Sequence, residues 1–305
     1  MRLKGAVLLA VLVIGVSSAS AQVVRPDHGP DWVPTGKGSG EHPGEHPGEA
    51  RVQTNAGSNG IFYHGGPLLE TTASIGLYYI WYGNWSGNTA TTILTDLASA
   101  IAPSPYFNIN TTYINASGAH VLNSVEHLGS TTDAYSQGKS LTDAQIQAVV
   151  SSAITSGRLP SDTNAVYFVL TSADVTASSG FCTQYCGWHA RGTIAGSDIK
   201  YAFIGNPDRC PSACEAQNTG PNGNAGADGM ASIIAHELVE AVTDPDLNAW
   251  YDRRGLENAD KCAWKFGTTS SASNGAAYNM TLGARQFLIQ QNWVNAAAGY
   301  CAVKY

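Results

Sequence analysis

The sequence predicts a single layered α/β or α+β domain built around a central mixed sheet. Runs of apolar β-branched and aromatic residues alternate along the chain with segments whose apolar residues recur at helical spacing. About 245 residues carry this alternation, a length that suits one domain with one core. The fold class therefore follows from periodicity and length together.

The first 21 residues predict a cleaved signal peptide. Arg2 and Lys4 precede an apolar run over residues 6–16, and small residues end the segment at Ala21. The run is shorter than the roughly 20 residues that cross a membrane. We therefore expect a secreted, extracellular protein without a membrane span in the mature chain.

Residues 22–58 predict a disordered linker rich in glycine, proline and histidine, with the tetrapeptide Glu-His-Pro-Gly repeated from Glu41 to Gly48. Little apolar material is present to offset the entropy of ordering such a segment. The globular domain is then expected over residues 59–305, and its elements follow in order. Strands are predicted at residues 74–82, 111–114, 124–135, 165–170 and 199–204, and helices at 88–101, 140–155 and 228–242.

Charge and cysteine content limit the partners and the compartment. Without Arg2 and Lys4, 14 basic residues remain against 23 acidic ones, a net charge of −9, which argues against nucleic acid as a partner. Six cysteines in an exported chain predict three disulfides. Two local bridges and one long bridge are the simplest pairing, and a zinc site on the two C-x-x-x-C pairs is the alternative. The local pairs are Cys182–Cys186 and Cys210–Cys214, and the long pair is Cys262–Cys301.

The third predicted helix carries the motif H-E-x-x-E. His236 and Glu240 are four residues apart and therefore project from one helix face, where both can bind one divalent ion. Glu237 could act as general base on a water molecule there. The arrangement resembles the H-E-x-x-H helix of zinc peptidases and predicts a zincin-like active helix, with glutamate as the second ligand. Zinc is the expected ion, and the carboxylate also suits calcium or manganese.

A third ligand must come from another segment, and two candidates remain open. Glu257 begins an E-x-x-D sequence similar to that of thermolysin-type peptidases, in which Asp260 would orient His236 from behind. Asp246 stands where metzincin-type and snapalysin-like sites place a ligand, but Thr243 replaces the glycine that those sites need for their turn. We therefore prefer Glu257. His64 and His189 are further candidates to complete a metal set.

Several segments resemble the plant EXORDIUM / phosphate-induced protein 1 family. The resemblance runs from about Ile61 to the C-terminus, includes all six cysteines, and is carried by motifs in the family's order. Among them are YHGGPLL (63–69), LYYIWYGN (77–84), GKSLTDAQI (138–146) and VLTSADV (169–175). The resemblance implies a protein exported to the cell wall or apoplast. Because the linker repeat is not a feature of the plant proteins, we expect a microbial relative.

Two functions of different class follow. The first is a secreted metal-dependent hydrolase, a zincin-type peptidase, in which His236, Glu240 and Glu257 hold zinc and Glu237 is the catalytic base. The second is a non-catalytic cell-surface or cell-wall-associated binding protein whose metal site is structural. A peptide or a cell-wall polymer is the expected partner in either case.

Overall fold

The computed structural model describes the backbone of residues 31–34 and the whole of residues 60–69 and 71–305. The predicted signal peptide lies outside the described residues, as does most of the predicted linker. One strand falls inside the linker range, because residues Asp31–Pro34 pair with the central sheet. Among the described residues, no helix is both long and apolar enough to cross a membrane.

The elements are named here in chain order. The strands are β1 (Asp31–Pro34), β2 (Phe62–Tyr63), β3 (Ile75–Tyr82), β4 (Val125–Asp133), β5 (Ser140–Leu141), β6 (Ala165–Thr171), β7 (Thr176–Ala177), β8 (Tyr185–Ile194), β9 (Ser197–Ile204), β10 (Trp250–Tyr251), β11 (Ser270–Ser271), β12 (Ala277–Tyr278), β13 (Met280–Leu282), β14 (Arg285–Phe287), β15 (Asn292–Val294) and β16 (Tyr300–Ala302). The helices are α1 (Ala90–Ala100), α2 (Asp143–Thr155), α3 (Pro211–Cys214) and α4 (Ala225–Thr243), with 3₁₀ turns at Phe107–Thr112, Pro207–Arg209 and Asp260–Cys262.

A six-stranded mixed sheet forms the centre of the domain, in the order β1-β8-β9-β6-β3-β4. The strands β9, β6, β3 and β4 are parallel, whereas β8 and β1 extend the sheet antiparallel at one edge. Every residue of β3 and β6 is buried, which is expected of parallel strands covered on both faces. The predicted central mixed sheet is therefore confirmed.

Helices cover both faces of this sheet. A side chain at Gly187 would meet Ile233 of α4, whereas one at Gly192 would meet Gln147 of α2. These two glycines are five residues apart on β8, and alternate residues of a strand face opposite sides. Helix α2 therefore covers one face, and α4 covers the other face together with α1, which contacts it.

Most predicted elements are present with shifted ends. Strands β3, β4, β6 and β9 and helices α1, α2 and α4 confirm the predicted periodicities. The strand predicted at residues 111–114 is wrong, because residues 111 and 112 complete a 3₁₀ turn whose hydroxyls bond back to the chain, as Thr111 Oγ1 does to Asn108 O. Beyond the turn, Ile114 forms only an isolated bridge to His120. Small antiparallel pairs such as β13–β14 and β15–β16 fill the C-terminal region, where mainly loop is expected.

The cysteines form three disulfides, as predicted, but two of the pairings differ. The bridges are Cys182–Cys210, Cys186–Cys214 and Cys262–Cys301. The predicted local clips are wrong because β8 and α3 lie side by side, so each member of one C-x-x-x-C pair meets a member of the other. All six sulfurs are used in this way, which removes the alternative of zinc on cysteine.

Candidate metal centre

Helix α4 carries the central residues of the site through the middle of the core. Asn224 caps its start by accepting from the backbone N–H of Ala227, and the chain leaves the helix at Asp244, just before Pro245. Every residue from Met230 to Thr243 is buried. A helix buried all round presents its ionisable side chains to protein atoms and not to solvent.

His236 and Glu240 face one another on α4, as their spacing predicts. His236 Nε2 lies 3.0 Å from Glu240 Oε1 and 3.5 Å from Asp260 Oδ1. The backbone N–H of Asp260 also donates to Glu240 Oε1 at 2.9 Å. The structure therefore brings His236, Glu240 and Asp260 together.

The segment that carries Glu257 and Asp260 is fastened to α4 by its own hydrogen bonds. Asn258 Nδ2 donates to the carbonyl of Val239 at 3.2 Å, and the carbonyl of Asn258 accepts from Trp293 N–H. Two residues beyond Asp260, Cys262 is bridged to Cys301. These contacts hold the E-x-x-D segment against the helix.

Glu257, the preferred third ligand, lies beside His189. His189 Nε2 is 2.7 Å from Glu257 Oε2, and both side chains are about 1% exposed. His189 stands on β8, a strand that the sequence does not predict as such. His189 lies two residues after Gly187 and therefore on the same face of β8, the face that packs against α4. Gly187 leaves room for Glu237, because a Cβ at that position would lie 3.1 Å from Glu237 Oε1.

Six ionisable side chains around α4 form one cluster. One ligand atom from each of His189, Glu237 and Glu240 lies within 4.8 Å of the other two, and the same holds for His236, Glu240 and Asp260. All members of the cluster are at most 7% exposed, namely His189, His236, Glu237, Glu240, Glu257 and Asp260. Glutamate and aspartate are rarely buried so completely without a compensating partner.

The electrostatics of the cluster reflect this burial. Burial would lower the pKa of His236, but the carboxylates of Glu240 and Asp260 outweigh it and hold that pKa well above its usual value. Burial raises the pKa of Glu240 to about 7, although His236 opposes this. Burial lowers the pKa of His189 to about 3. At neutral pH the buried groups of this cluster can therefore either share protons with one another or bind a cation.

Two buried tyrosines are part of the surroundings of Glu240. Tyr106 and Tyr113 lie near it, and burial raises the pKa of both phenols, with the charge of Glu240 raising them further. Neither tyrosine is suggested by a sequence motif, because both flank a 3₁₀ turn far from α4 in the chain.

The donor distances suit a metal ion. Zinc holds nitrogen and oxygen ligands at about 2.0–2.2 Å, so adjacent ligand atoms around a tetrahedral ion lie about 3.3–3.6 Å apart. The 3.5 Å from His236 Nε2 to Asp260 Oδ1 falls in that range, and the 3.0 Å to Glu240 Oε1 is about 0.3 Å shorter. His236, Glu240 and Asp260 could therefore hold one divalent cation, with a fourth donor from the His189 side.

Two other predicted candidates lie elsewhere. Asp246 Oδ1 is 3.1 Å from Lys200 Nζ and 3.9 Å from Arg191 Nε, so its carboxylate is engaged by basic side chains. His64 stacks on Tyr251, with ring centroids 3.6 Å apart. The described contacts of these two residues place neither of them in the cluster on α4.

Comparison with known proteins shows which family this chain is similar to. The family model described as the phosphate-induced protein 1 conserved region matches residues 61–303. Protein EXORDIUM-like 5 of Arabidopsis thaliana is 34% identical over 271 residues, covering 76% of this chain and 74% of that protein. Protein EXORDIUM-like 3 of the same plant is 33% identical over 279 residues, covering 78% and 81%.

Protein PHOSPHATE-INDUCED 1 of Nicotiana tabacum is 28% identical over 232 residues, covering 66% of this chain and 71% of that protein. No solved structure matches the chain. The family model spans nearly all of the predicted globular domain and includes every residue of the cluster on α4. The chain therefore belongs to the EXORDIUM / phosphate-induced protein 1 family.

Proposed function

We propose that this domain is a secreted, non-catalytic binding protein that holds a divalent metal ion in its interior. The observation that carries the proposal is the closure of the candidate site, whose six ionisable side chains are at most 7% exposed. A structural metal site is closed and uses only protein ligands, whereas a catalytic site keeps a position open for water or substrate. His236 is fully buried within the described part of the chain, so a peptide bond would not reach it in this conformation.

The ion would fasten three parts of the fold to one another. Helix α4 supplies His236 and Glu240, the E-x-x-D segment supplies Asp260, and β8 supplies His189. Buried carboxylates cost several kcal/mol each without a counter-charge, so an ion here offsets a large penalty. Zinc is the first ion to test, and manganese is the second because carboxylate oxygens suit it.

Export and the partner belong to the same proposal. The three disulfides fit an oxidising compartment. The signal peptide predicted over residues 1–21 supports secretion. A cell-wall polymer is the expected partner. Most of the described tyrosines and tryptophans lie in the core, but Tyr300 and Tyr305 are about half exposed and could stack against sugar rings.

Metal analysis of the purified, dialysed protein tests the proposal. We expect at least one ion of zinc or manganese per chain, and loss of that ion with unfolding at a lower temperature in His236→Ala and Asp260→Asn. His120→Gln, on the surface, and Asp246→Asn, at the alternative ligand, are the matched controls and should retain the metal. Wild-type protein that stays metal-free after exposure to both ions would contradict the proposal.

A zincin-type hydrolase is the second candidate, and one observation favours it. Glu237 directly follows His236, and its carboxylate lies within 4.8 Å of ligand atoms of both His189 and Glu240. A bound ion would supply Lewis acidity, and Glu237 would accept a proton from water. This candidate requires a conformation that opens the cluster. Peptide hydrolysis by the metal-loaded protein, abolished in Glu237→Gln with the metal retained, would support it over the structural site.

A further inference from the structure

Five of the six side chains around α4 fall into two sets of three that have one member in common. His236, Glu240 and Asp260 form one set, and His189, Glu237 and Glu240 form the other. Within each set, one ligand atom per residue lies within 4.8 Å of the others. Each set alone has the composition of a metal site, one imidazole and two carboxylates.

The shared residue has two oxygens with different surroundings. Glu240 Oε1 lies 3.0 Å from His236 Nε2 and accepts the N–H of Asp260 at 2.9 Å, so it belongs to the first set. Glu240 Oε2 is fully buried and makes no hydrogen bond within the described part of the chain. A carboxylate with one oxygen engaged and the other directed into a polar cluster is suited to bridge two cations.

Charge balance points the same way. The cluster holds four carboxylates, of Glu237, Glu240, Glu257 and Asp260, and two imidazoles, of His189 and His236. With neutral imidazoles and ionised carboxylates, one divalent ion would leave two negative charges among these six side chains, whereas two divalent ions would balance all four. The buried Asp244, which hydrogen-bonds Glu257, lies outside this count. Uncompensated charge in a low-dielectric interior is strongly unfavourable.

We propose that the cluster is a dinuclear metal site bridged by Glu240. His236 and Asp260 complete the first ion's protein ligands, and His189 and Glu237 complete those of the second. Glu257, 2.7 Å from His189 Nε2, adds a further carboxylate beside the second ion. Four carboxylates and two imidazoles are also the donor set of di-iron and di-manganese carboxylate proteins built in helix bundles.

This inference rests on the proposed metal site and changes the role of one residue. In a one-ion hydrolase Glu237 is a base, and Glu237→Gln keeps the metal. In the dinuclear site Glu237 is a ligand, so the same substitution removes one of two ions. The count of ions per chain therefore separates the two roles without any assay of activity.

The test is metal stoichiometry of the full mature chain, stripped with chelator and reloaded with zinc alone or manganese alone. We expect two ions per chain in the wild type and one in Glu237→Gln and in Asp260→Asn. The exposed Glu126→Gln is the matched control and should retain two. One ion per chain at saturation would overturn the dinuclear site and leave the single-ion proposal standing, whereas no bound ion would overturn both.

A second measurement needs no variant and so does not depend on the folding of one. Two manganese ions bridged by one carboxylate are magnetically coupled, so the manganese-loaded wild type should show an exchange-coupled electron paramagnetic resonance spectrum. The six-line signal of isolated manganese, at full occupancy, would overturn the proposal.

Discussion

The Cys262–Cys301 disulfide is the contact whose contribution to the candidate site is easiest to quantify. It closes a span of 39 residues and ties the hairpin β15–β16 to the 3₁₀ turn that begins at Asp260. Cross-linking a span of that length restricts the unfolded chain by about 13 cal/mol/K, which is about 3.9 kcal/mol at 25 °C. Replacing Cys262 and Cys301 together by alanine should lower the free energy of unfolding by about 4 kcal/mol.

The same replacement should also weaken metal binding, because Asp260 lies two residues from the bridge. Removing Cys182 and Cys210 together is the matched control. The neighbouring Cys186–Cys214 bridge still closes an overlapping span of the same length, 28 residues, so the lost bridge closes only an additional ring of about 10 residues. The control should therefore lose about 2.7 kcal/mol and retain the metal.

Urea unfolding of the three proteins, each with its metal content measured, gives the comparison. A control that loses as much stability as the Cys262 variant would refute the loop-entropy reasoning. Unchanged metal affinity in the Cys262 variant would refute the idea that this bridge positions Asp260.

Two further perturbations act on the cluster itself. Burial raises the pKa of Glu240 to about 7, and the carboxylates of Glu240 and Asp260 outweigh burial to hold the pKa of His236 well above its usual value. A metal ion must displace protons from both groups, so protein loaded at pH 8 should release metal as the pH falls, with affinity dropping more steeply than tenfold per unit below about 7. The stability of the metal-free protein depends on pH in the opposite direction. Its free energy of unfolding, measured in urea, should fall as the pH rises from about 4.5 to 7, because Glu240 holds a proton in the folded state that it loses in the unfolded state. Gly187→Ala should destabilise the domain by about 1–3 kcal/mol and reduce metal content, because its Cβ would lie 2.5 Å from Ile233 Cγ2 and 3.1 Å from Glu237 Oε1. Full metal content and unchanged stability in that variant would contradict the contact.

The helix of the candidate site is visible in the sequence because its signals are local. Spacing alone places His236 and Glu240 on one face, and Pro245 marks the end of α4. The structure places those residues in one cluster, as their spacing predicts. Their role in metal binding stays a prediction.

The partners of the helix are far less predictable, because they depend on which segments meet across the core. β8 contains Gly187 and Gly192 and an arginine, so it shows neither alternation nor a continuous apolar run, and its His189 carries no local signal. The predicted pairing of four of the cysteines is wrong for the same reason. Spacing in the chain favours the local clips, whereas the approach of β8 to α3 joins each cysteine to a distant one.

The placement of Glu257 and Asp260 depends on such long-range contacts. The E-x-x-D spacing predicts Glu257 on the metal and Asp260 behind His236. In the structure Asp260 Oδ1 lies 3.5 Å from His236 Nε2 and Glu257 Oε2 lies 2.7 Å from His189 Nε2, while the hydrogen bond from Asn258 to Val239 joins this segment to α4. Both carboxylates remain in the cluster, but on different sides of Glu240. In a single-ion site Asp260 binds the ion, and Glu257 holds the imidazole of His189 through its Nε2 atom. In the dinuclear site His189 and Glu237 bind a second ion and Glu257 keeps that supporting position, so ion stoichiometry decides between the interpretations.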